Sequence, residues 1–217
     1  MSQVFSLDNR LSACASLVRK NARLADIGTD HAYLPVWLIS QGIIKDAIAS
    51  DINKSPLEMG KATAEKYNVQ SIQFRLGSGL DTVTAEDNIT DIVVAGMGGE
   101  IISDIVCSSP IAKNKGLNII LQPMTKSEEL IKNLYKNGFE ITEQKCAVSN
   151  NKCYTIMAVA YCGVFKEFEE IFCYLGKLDL ADENCQRFIK QHIKHLENKS
   201  KADRHFGEIA EKLKKSL

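Results

Sequence analysis

The sequence predicts an α/β fold, in which five parallel strands are followed by an antiparallel hairpin and a helical tail. Short apolar runs alternate with helical patterns between Ala22 and Gly138, as expected for repeated strand-helix units. Two extended segments then follow each other across Asn150-Asn151, with no room for a crossover helix. Segments joined so closely must pair antiparallel, so the sheet ends in a hairpin.

The first strand, Ala22 to Ile27, leads through a turn with a single glycine, Gly28, into a helix. Ligands of such folds bind at the carboxyl ends of the strands. A dinucleotide site needs several glycines so that backbone amides can approach a pyrophosphate. Here Asp26 and Asp30 flank the glycine, and two carboxylates oppose a pyrophosphate. The turn therefore favours S-adenosylmethionine, which carries a sulfonium and an ammonium and no phosphate, over a nicotinamide dinucleotide.

The next two strand ends predict the remainder of this cofactor site. The second strand, Ala47 to Asp51, closes on a carboxylate that can accept both ribose hydroxyls, and Ile52 is assigned to the site with it. The third strand ends in Gly77-Ser78-Gly79, where bare backbone suits the close approach of the adenine ring. An ordinary turn is the alternative interpretation of this glycine pair.

The fourth strand, Ile89 to Ala95, has a continuous apolar end, which indicates a central position in a parallel sheet. It leads into Gly96-Met97-Gly98-Gly99, where three glycines expose backbone amides at the place where methyl donor and acceptor should meet. We assign Gly96, Met97 and Gly98 to the cofactor site. The fifth strand, Leu117 to Leu121, ends in Gln122-Pro123-Met124.

The alternation of strands and helices ends after residue 162. We therefore predict one domain over residues 1–162 and a helical tail over residues 163–217. Apolar residues of the tail step by three and four, from Phe165 onward, which predicts a helical hairpin or short coiled coil. The segment 187–217 carries nine basic and four acidic residues. These cations are either a solvated face or an RNA contact. The candidates for RNA contact in the tail are Lys190, Lys194, Lys201 and Arg204. Arg10, near the start of the first helix, is a further candidate, which either faces the active site or substrate or is solvated.

Composition narrows the class of protein. The formal net charge is zero, with 27 basic and 27 acidic residues, so a nucleic-acid partner must meet a local patch. The seven cysteines are scattered and form no Cys-x-x-Cys pair, which favours small buried hydrophobes over metal ligands or disulfides. No segment is apolar enough to span a membrane, and residues 1–9 lack a signal-peptide core. We therefore expect a cytoplasmic protein without a metal or membrane partner.

Six short sequence motifs, taken together, are specific enough to indicate a protein family. They are Leu7-Asp8-x-Arg10-Leu11, Ala25-Asp26-Ile27-Gly28-Thr29-Asp30-His31-Ala32-Tyr33-Leu34-Pro35, Ala49-Ser50-Asp51-Ile52-Asn53, Arg75-Leu76-Gly77-x-Gly79-Leu80, Ala95-Gly96-Met97-Gly98-Gly99 and Leu121-Gln122-Pro123-Met124. This set resembles the bacterial tRNA (adenine(22)-N(1))-methyltransferases, and the predicted sheet resembles the Rossmann-like sheet of class I methyltransferases.

The resemblance implies a class I methyltransferase domain followed by a coiled-coil domain. It also implies transfer of a methyl group from S-adenosylmethionine to ring nitrogen 1 of an adenine in the D-arm region of certain tRNAs. Asp26, Gly28 and Asp30 would line the methionine end of the cofactor, Asp51 would hold the ribose, and Gly77 to Leu80 would hold the adenine. Ser78 stands where the family pattern more often has an aspartate, which bears on cofactor affinity and not on cofactor identity.

The chemistry predicts three residues near the reacting atoms. The chain has no Asn/Asp-Pro-Pro-aromatic loop after strand four, which disfavours an exocyclic amine as the methyl acceptor. A ring nitrogen already has a free lone pair, so it needs positioning more than a base. Asp30 is the candidate for stabilising the cationic product ring. His31 is either a base or a hydrogen-bonded structural residue. Tyr33 either stacks on the flipped base or packs in the core.

Two other functions remain open on sequence alone. One is a methyltransferase of a small molecule, with the tail used only for dimerisation. The other is a nucleotide-binding interaction module without catalysis. The oligomeric state stays open between a monomer and a weak dimer.

Overall fold

One mixed sheet forms the centre of the fold, and the computed structural model describes residues 5–217. Its strands are β1 Leu24–Ile27, β2 Ala47–Asp51, β3 Ile72–Leu76, β4 Asp91–Gly98, β5 Asn118–Thr125, β6 Phe139–Ser149 and β7 Lys152–Tyr161. They lie in the order β3-β2-β1-β4-β5-β7-β6. Strands β1 to β5 pair in parallel, whereas β7 runs antiparallel to both β5 and β6. The sheet therefore has seven strands, and the predicted Rossmann-like α/β fold with a mixed sheet is confirmed.

Eight α-helices accompany the sheet within the described residues. They are α1 Asn9–Leu17, α2 Tyr33–Ser40, α3 Lys54–Lys66, α4 Gly99–Ser108, α5 Ser127–Lys136, α6 Glu170–Leu175, α7 Glu183–Lys199 and α8 Arg204–Lys214. Within residues 5–217, no helix is long and apolar enough to cross a bilayer. The predicted absence of an export signal concerns residues 1–9, of which 1–4 lie outside the described residues.

The strand order reverses beside β1. The chain builds outward from β1 through β2 to β3, then returns to place β4 on the other side of β1. Ligands of open parallel sheets bind in the crevice at such a reversal, at the carboxyl ends of the strands. β1 is buried throughout, and Ile92 to Val94 of β4 are completely buried beside it. These two buried, tightly packed strands therefore form the base of the crevice.

Several strand boundaries differ from the predicted ones, and β5, Asn118–Thr125, extends beyond the predicted Leu117 to Leu121. β1 begins at Leu24, not Ala22. β4 continues through Gly98, so the predicted glycine loop lies inside a strand. The reason is tertiary pairing, because Met97 lies opposite Pro123 of β5 and Gly98 lies opposite Thr125, with register shifts between them. Glycine and proline disfavour strands locally, but a bulged ladder at the end of a strand pair accommodates both.

The hairpin between β6 and β7 agrees with the prediction. Asn150 and Asn151 form its turn, with φ of +49° and +61°. Two successive residues with positive φ match the two-residue turn that follows the twist of a hairpin, and asparagine tolerates this conformation better than most residues.

The tail is helical, and α7 and α8 pack on each other, as in the predicted helical hairpin or coiled coil, and also on the sheet. Phe188 and Leu196 of α7 share one buried cluster with Leu213 of α8 and with Cys153 of β7. The helices therefore cover the hairpin as well as each other, whereas the helices of a coiled coil would pack chiefly on one another. Phe165, which begins the predicted apolar series, is 70% exposed and precedes α6.

Candidate active site

A cavity of about 320 Å³ opens at the carboxyl ends of the parallel strands. We call it the cofactor cavity. The residues that line it are Ile27, Gly28, Ser50, Asp51, Ile52, Gly77, Ser78, Gly79, Met97, Ile101, Asp104 and Ile105. The predicted cofactor residues among them are Gly28, Asp51, Ile52, Gly77, Ser78, Gly79 and Met97. The other predicted cofactor residues, Asp26, Asp30, Gly96 and Gly98, lie outside this lining.

The structure adds residues that the sequence analysis missed. Ile101, Asp104 and Ile105 lie on one face of α4, three and four residues apart, and this face forms a wall of the cavity. Ile102 and Val106 of the same helix are completely buried in the core. The sequence does carry a signal for this wall of the cavity. Ile101 and Ile105 form an apolar pair in addition to the buried one, so the apolar surface of α4 extends beyond its core-facing side.

The turn after β1 has an unusual backbone. Gly28, Asp30 and Ala32 have φ of +72°, +51° and +52°, of which only the first is a glycine. The amide of Gly28 donates a 2.8 Å hydrogen bond to the carbonyl of Ser50, which ties the turn to β2. A Cβ on Gly28 would lie 2.0 Å from Met97 Cε. A positive φ is unfavourable for residues other than glycine, so it persists only where the surrounding structure holds the backbone in place. Such conformations are typical of binding sites.

Asp26 lies under this turn and is only 6% exposed. Thr29 Oγ1 donates a 2.5 Å hydrogen bond to its carboxylate. Burial raises the pKa of Asp26 to about 6, the bond from Thr29 opposes this rise, and the charge of Asp51 adds to it. A cation bound in the turn would favour the charged form of this carboxyl group.

An ion pair braces the loop after β3. Arg75 donates two 2.6 Å hydrogen bonds to Asp87 and one of 2.7 Å to the carbonyl of Thr82. This guanidinium holds the pKa of the Asp87 carboxyl well below its usual range. The loop that carries Gly77 to Gly79 is thereby closed onto the strand that precedes it.

Arg10, a candidate for contact with the active site or the RNA, lies beside the ends of β4 and β5. Its Nη1 donates a 2.7 Å hydrogen bond to Oε1 of Gln122, which also accepts from the amide of Gly96 at 3.1 Å. Gln122 is completely buried, and the side chain of Arg10 is 19% exposed. The guanidinium therefore supports the strand ends where Gly96 and Met97 lie, rather than joining the cations of the tail.

Asp30, His31 and Tyr33 lie together on the turn and at the start of α2. The side chain of Asp30 is 74% exposed and lies 3.7 Å from His31 Nε2. The rings of His31 and Tyr33 are stacked, with centroids 5.2 Å apart. Tyr33 is 43% exposed and lines a second cavity. Its exposure favours a stacking surface over core packing.

The predicted RNA-contacting residues of the tail are exposed. Lys190 and Lys194 lie on the solvent side of α7, together with Arg187. Lys201 lies in the connection to α8, and Arg204 forms a 3.6 Å ion pair with Glu208. We call Arg187, Lys190 and Lys194 the cationic face of α7. Their spacing of three and four residues places them on one side of the helix.

The fold and the cofactor cavity define a Rossmann-like protein whose ligand site is acidic. A methyltransferase-domain family model matches residues 7–157, and the chain belongs to this family. The Bacillus subtilis (strain 168) tRNA (adenine(22)-N(1))-methyltransferase is 29% identical over 196 residues, which are 88% of this chain and 82% of that protein.

Two solved structures resemble the chain over nearly its whole length. A Streptococcus pneumoniae protein, described as a candidate tRNA (m1A22) methyltransferase and solved with S-adenosyl-L-methionine, has a TM-score of 0.87 and 26% identity. That match covers 97% of this chain and 99% of the other. A Streptococcus agalactiae protein of the NADB-Rossmann superfamily has a TM-score of 0.86 and 26% identity, with 99% of each chain covered. The helical tail is therefore part of the shared fold.

Proposed function

We propose that this chain transfers a methyl group from S-adenosylmethionine to ring nitrogen 1 of the adenine at position 22 of tRNA. The observation that carries the proposal is the charge of the cofactor cavity. Its acidic side chains are Asp51 and Asp104, and no basic side chain within residues 5–217 lines it. Such a cavity favours a cationic ligand without phosphate. The similarity to the B. subtilis tRNA methyltransferase supports the choice of substrate.

The residues of the cavity fit this cofactor. Ser50 is 1% exposed, and its Oγ is the buried side-chain polar atom that has no hydrogen-bond partner among the described residues. A bound ligand can satisfy it, because Ser50 lines the cavity. Ile52 and Ile101 also line it and are 66% and 55% exposed. A flat adenine ring would cover both side chains. Asp51 would accept the ribose hydroxyls, as the carboxylate at the end of β2.

The residues around the reacting atoms would act by position and charge. S-adenosylmethionine supplies an electrophilic methyl group when bound. Asp26 and the turn at Gly28 would hold the charged methionine end. Asp30 would stabilise the positive charge that develops on the adenine ring. Because the ring nitrogen needs no deprotonation, His31 is assigned to orient Tyr33 by stacking, and no base is required.

The tail is the proposed tRNA contact, and it is linked to the catalytic edge by a chain of contacts. Arg187 Nη2 donates a 3.3 Å hydrogen bond to the carbonyl of Asn151 in the hairpin turn. Asn9 Nδ2 donates one of 2.8 Å to the carbonyl of Val148 at the same end of the hairpin. Asn9 is followed by Arg10, which supports β4 and β5. The cationic face of α7 is therefore connected, through the hairpin and α1, to the strand ends that carry Gly96 and Met97.

Nucleoside mapping by mass spectrometry tests this function. Unmodified tRNA transcripts with adenine or guanine at position 22 are incubated with the protein and labelled S-adenosylmethionine. We expect one equivalent of 1-methyladenosine in the first transcript and none in the second. Cofactor binding without transfer to tRNA would support the interaction module, and transfer to small acceptors alone would support the small-molecule enzyme.

Cofactor affinity is expected to rise with pH through the titration of Asp26. Below about pH 6 this carboxyl group is protonated and cannot attract a cationic ligand. The dissociation constant of S-adenosylmethionine should therefore fall about tenfold between about pH 5 and about pH 7.5. Calorimetry measures it. Asp26→Asn should lose this dependence, whereas Asp46→Asn, which changes an exposed carboxylate paired with Arg23, should keep it.

Binding of tRNA is expected to depend on salt through the cationic face of α7. For the double variant Lys190→Gln/Lys194→Gln, the slope of log K against log salt concentration should decrease by about 0.7–0.9 for each phosphate that is no longer neutralised. Filter binding across a salt series measures this slope. The matched control is Lys113→Gln/Lys115→Gln, which removes two exposed lysines that precede β5 in the chain. Equal slopes in both variants would contradict an RNA-contacting tail.

Asp104 is expected to recognise the adenine amino group of the cofactor, because Ser78 brings no charge to this part of the cavity. Both residues line the cofactor cavity and a neighbouring one of about 260 Å³. Asp104→Ala should weaken S-adenosylhomocysteine about tenfold. It should leave the inosine analogue, which lacks the amino group, unchanged. Asp81→Ala, in the neighbouring cavity only, is the control, and equal losses of affinity for both ligands would contradict this role.

A further inference from the structure

A second cavity, of about 460 Å³, lies where the segment before α1 meets α2 and α3. We call it the aromatic cavity. Three rings line it, those of Phe5, Tyr33 and Tyr67, together with the side chain of Lys66. The aromatic cavity and the cofactor cavity have no lining residue in common among residues 5–217. It is therefore a separate site.

The geometry of the aromatic cavity suits a flat ring that carries a phosphate. The ring centroid of Phe5 lies 4.7 Å from that of Tyr67 and 5.4 Å from that of Tyr33. The ring planes are inclined by 52° and 64° respectively, so the three rings pack against one another as one aromatic cluster. Lys66 Nζ lies 5.4 Å from the centroid of Tyr67, so a positive charge stands beside this cluster.

The acidic residue of the aromatic cavity does not oppose a phosphate. Asp8 caps α1, and its Oδ1 accepts a 2.7 Å hydrogen bond from the amide of Leu11. Its Oδ2 lies 3.7 Å from Arg10 Nη2. A carboxylate bound to a helix N-terminus and paired with a guanidinium has its charge largely offset. Lys66 is then the uncompensated charge of the lining.

We propose that the aromatic cavity binds an unpaired nucleobase of the tRNA, next to the methylated adenine. This inference rests on the proposed function. Every nucleobase has a π face that stacks on aromatic side chains, and the adjoining phosphate pairs with a nearby cation. Adenine nitrogen 1 lies on the pairing edge, so the substrate must be unpaired locally, and a neighbouring base then loses its own stacking partner. The aromatic cavity replaces that partner.

The position of the aromatic cavity favours an RNA over a free small molecule. Asp8 and Leu11, which line it, flank Asn9 and Arg10 of α1. Asn9 contacts the hairpin end that also contacts Arg187 of α7. The contacts of α1 therefore connect the aromatic cavity, through the end of the hairpin, to the cationic face of α7, where an RNA strand is proposed to bind.

A double-mutant cycle tests this inference, with tRNA affinity measured in the presence of S-adenosylhomocysteine. Tyr67→Ala should weaken binding of the intact tRNA about tenfold, and Tyr67→Phe, which keeps the ring, should bind as the wild type does. Each variant is also measured with two tRNAs, abasic at one or the other nucleotide flanking position 22. With one of them the loss of affinity caused by Tyr67→Ala should disappear, because the base that it stacks on is absent.

Three outcomes separate this inference from the proposed function. Wild-type affinity in Tyr67→Ala, or an equal loss of affinity with both abasic tRNAs, overturns the aromatic cavity as a base site and leaves the proposed function standing. Wild-type protein that neither binds nor methylates tRNA overturns both. If Tyr67→Ala unfolds, as unfolding in urea would reveal, Tyr67→Leu takes its place in the cycle, because leucine keeps an apolar side chain and removes the aromatic ring.

Discussion

Replacement of Asp51 by alanine is expected to weaken S-adenosylmethionine binding by about a hundredfold or more. Asp51 ends β2, and its Oδ1 accepts a 2.8 Å hydrogen bond from the amide of Asn53, which orients the carboxylate. Two ribose hydroxyls donating to a carboxylate contribute about 1.5–3 kcal/mol each. Isothermal calorimetry of the wild type and the variant measures the difference in affinity.

The control for this prediction is Asp46→Ala. Asp46 is also an aspartate next to β2, but it precedes the strand and forms a 3.4 Å ion pair with Arg23 at the surface. This variant should bind the cofactor as the wild type does. If Asp51→Ala also kept wild-type affinity, the assignment of the ribose to the end of β2 would be wrong.

Gly99→Ala is expected to destabilise the protein by about 3 kcal/mol or more. A Cβ at this position would lie 2.1 Å from the carbonyl oxygen of Lys126 and 3.1 Å from that of Thr125. Thr125 ends β5 and Lys126 precedes α5, so both atoms belong to the backbone and cannot move aside as a side chain can. The free energy of unfolding in urea measures this effect.

Gly98→Ala is the matched control for Gly99→Ala. Gly98 has a φ of −67°, and its added Cβ would lie 3.5 Å from Thr125 Oγ1, an ordinary contact. Gly98 is the N-cap residue of α4, and alanine at an N-cap is less stabilising than glycine by at most about 1 kcal/mol. Equal losses of stability at the two positions would show that crowding against Lys126 is not what requires a glycine at 99.

The central parallel strands β1, β2, β4 and β5 were predictable because most of their residues are buried, which makes them short apolar runs. The same reasoning placed Gly28, Asp51 and Gly77 in one site, since the carboxyl ends of parallel strands share an edge. Gly96 and Gly98 lie outside the lining of the cofactor cavity, and their assignment to the site stays a prediction. Their strand conformation was not predictable, because it depends on pairing with β5 and not on local propensity.

The rest of the site depends on packing that periodicity does not specify. Asp104 lines the cofactor cavity because α4 lies over the loop after β3. The side of α4 that faces the cavity is set by the way this helix packs against the core. Arg10 was predictable as a polar residue near the start of a helix, but its partner Gln122 is 112 positions away. The aromatic cavity likewise joins residues from α2, α3 and the segment before α1.

The charge of the cofactor cavity is tested most directly by comparing two ligands on the wild-type protein. Calorimetric titrations are carried out with S-adenosylmethionine and with NAD⁺, each alone and in competition. We expect S-adenosylmethionine to bind and NAD⁺ to neither bind nor displace it, because carboxylates line the site and a pyrophosphate would meet them. Binding of NAD⁺ with equal or higher affinity, or no binding of S-adenosylmethionine, would contradict a cavity selective for a cationic methyl donor.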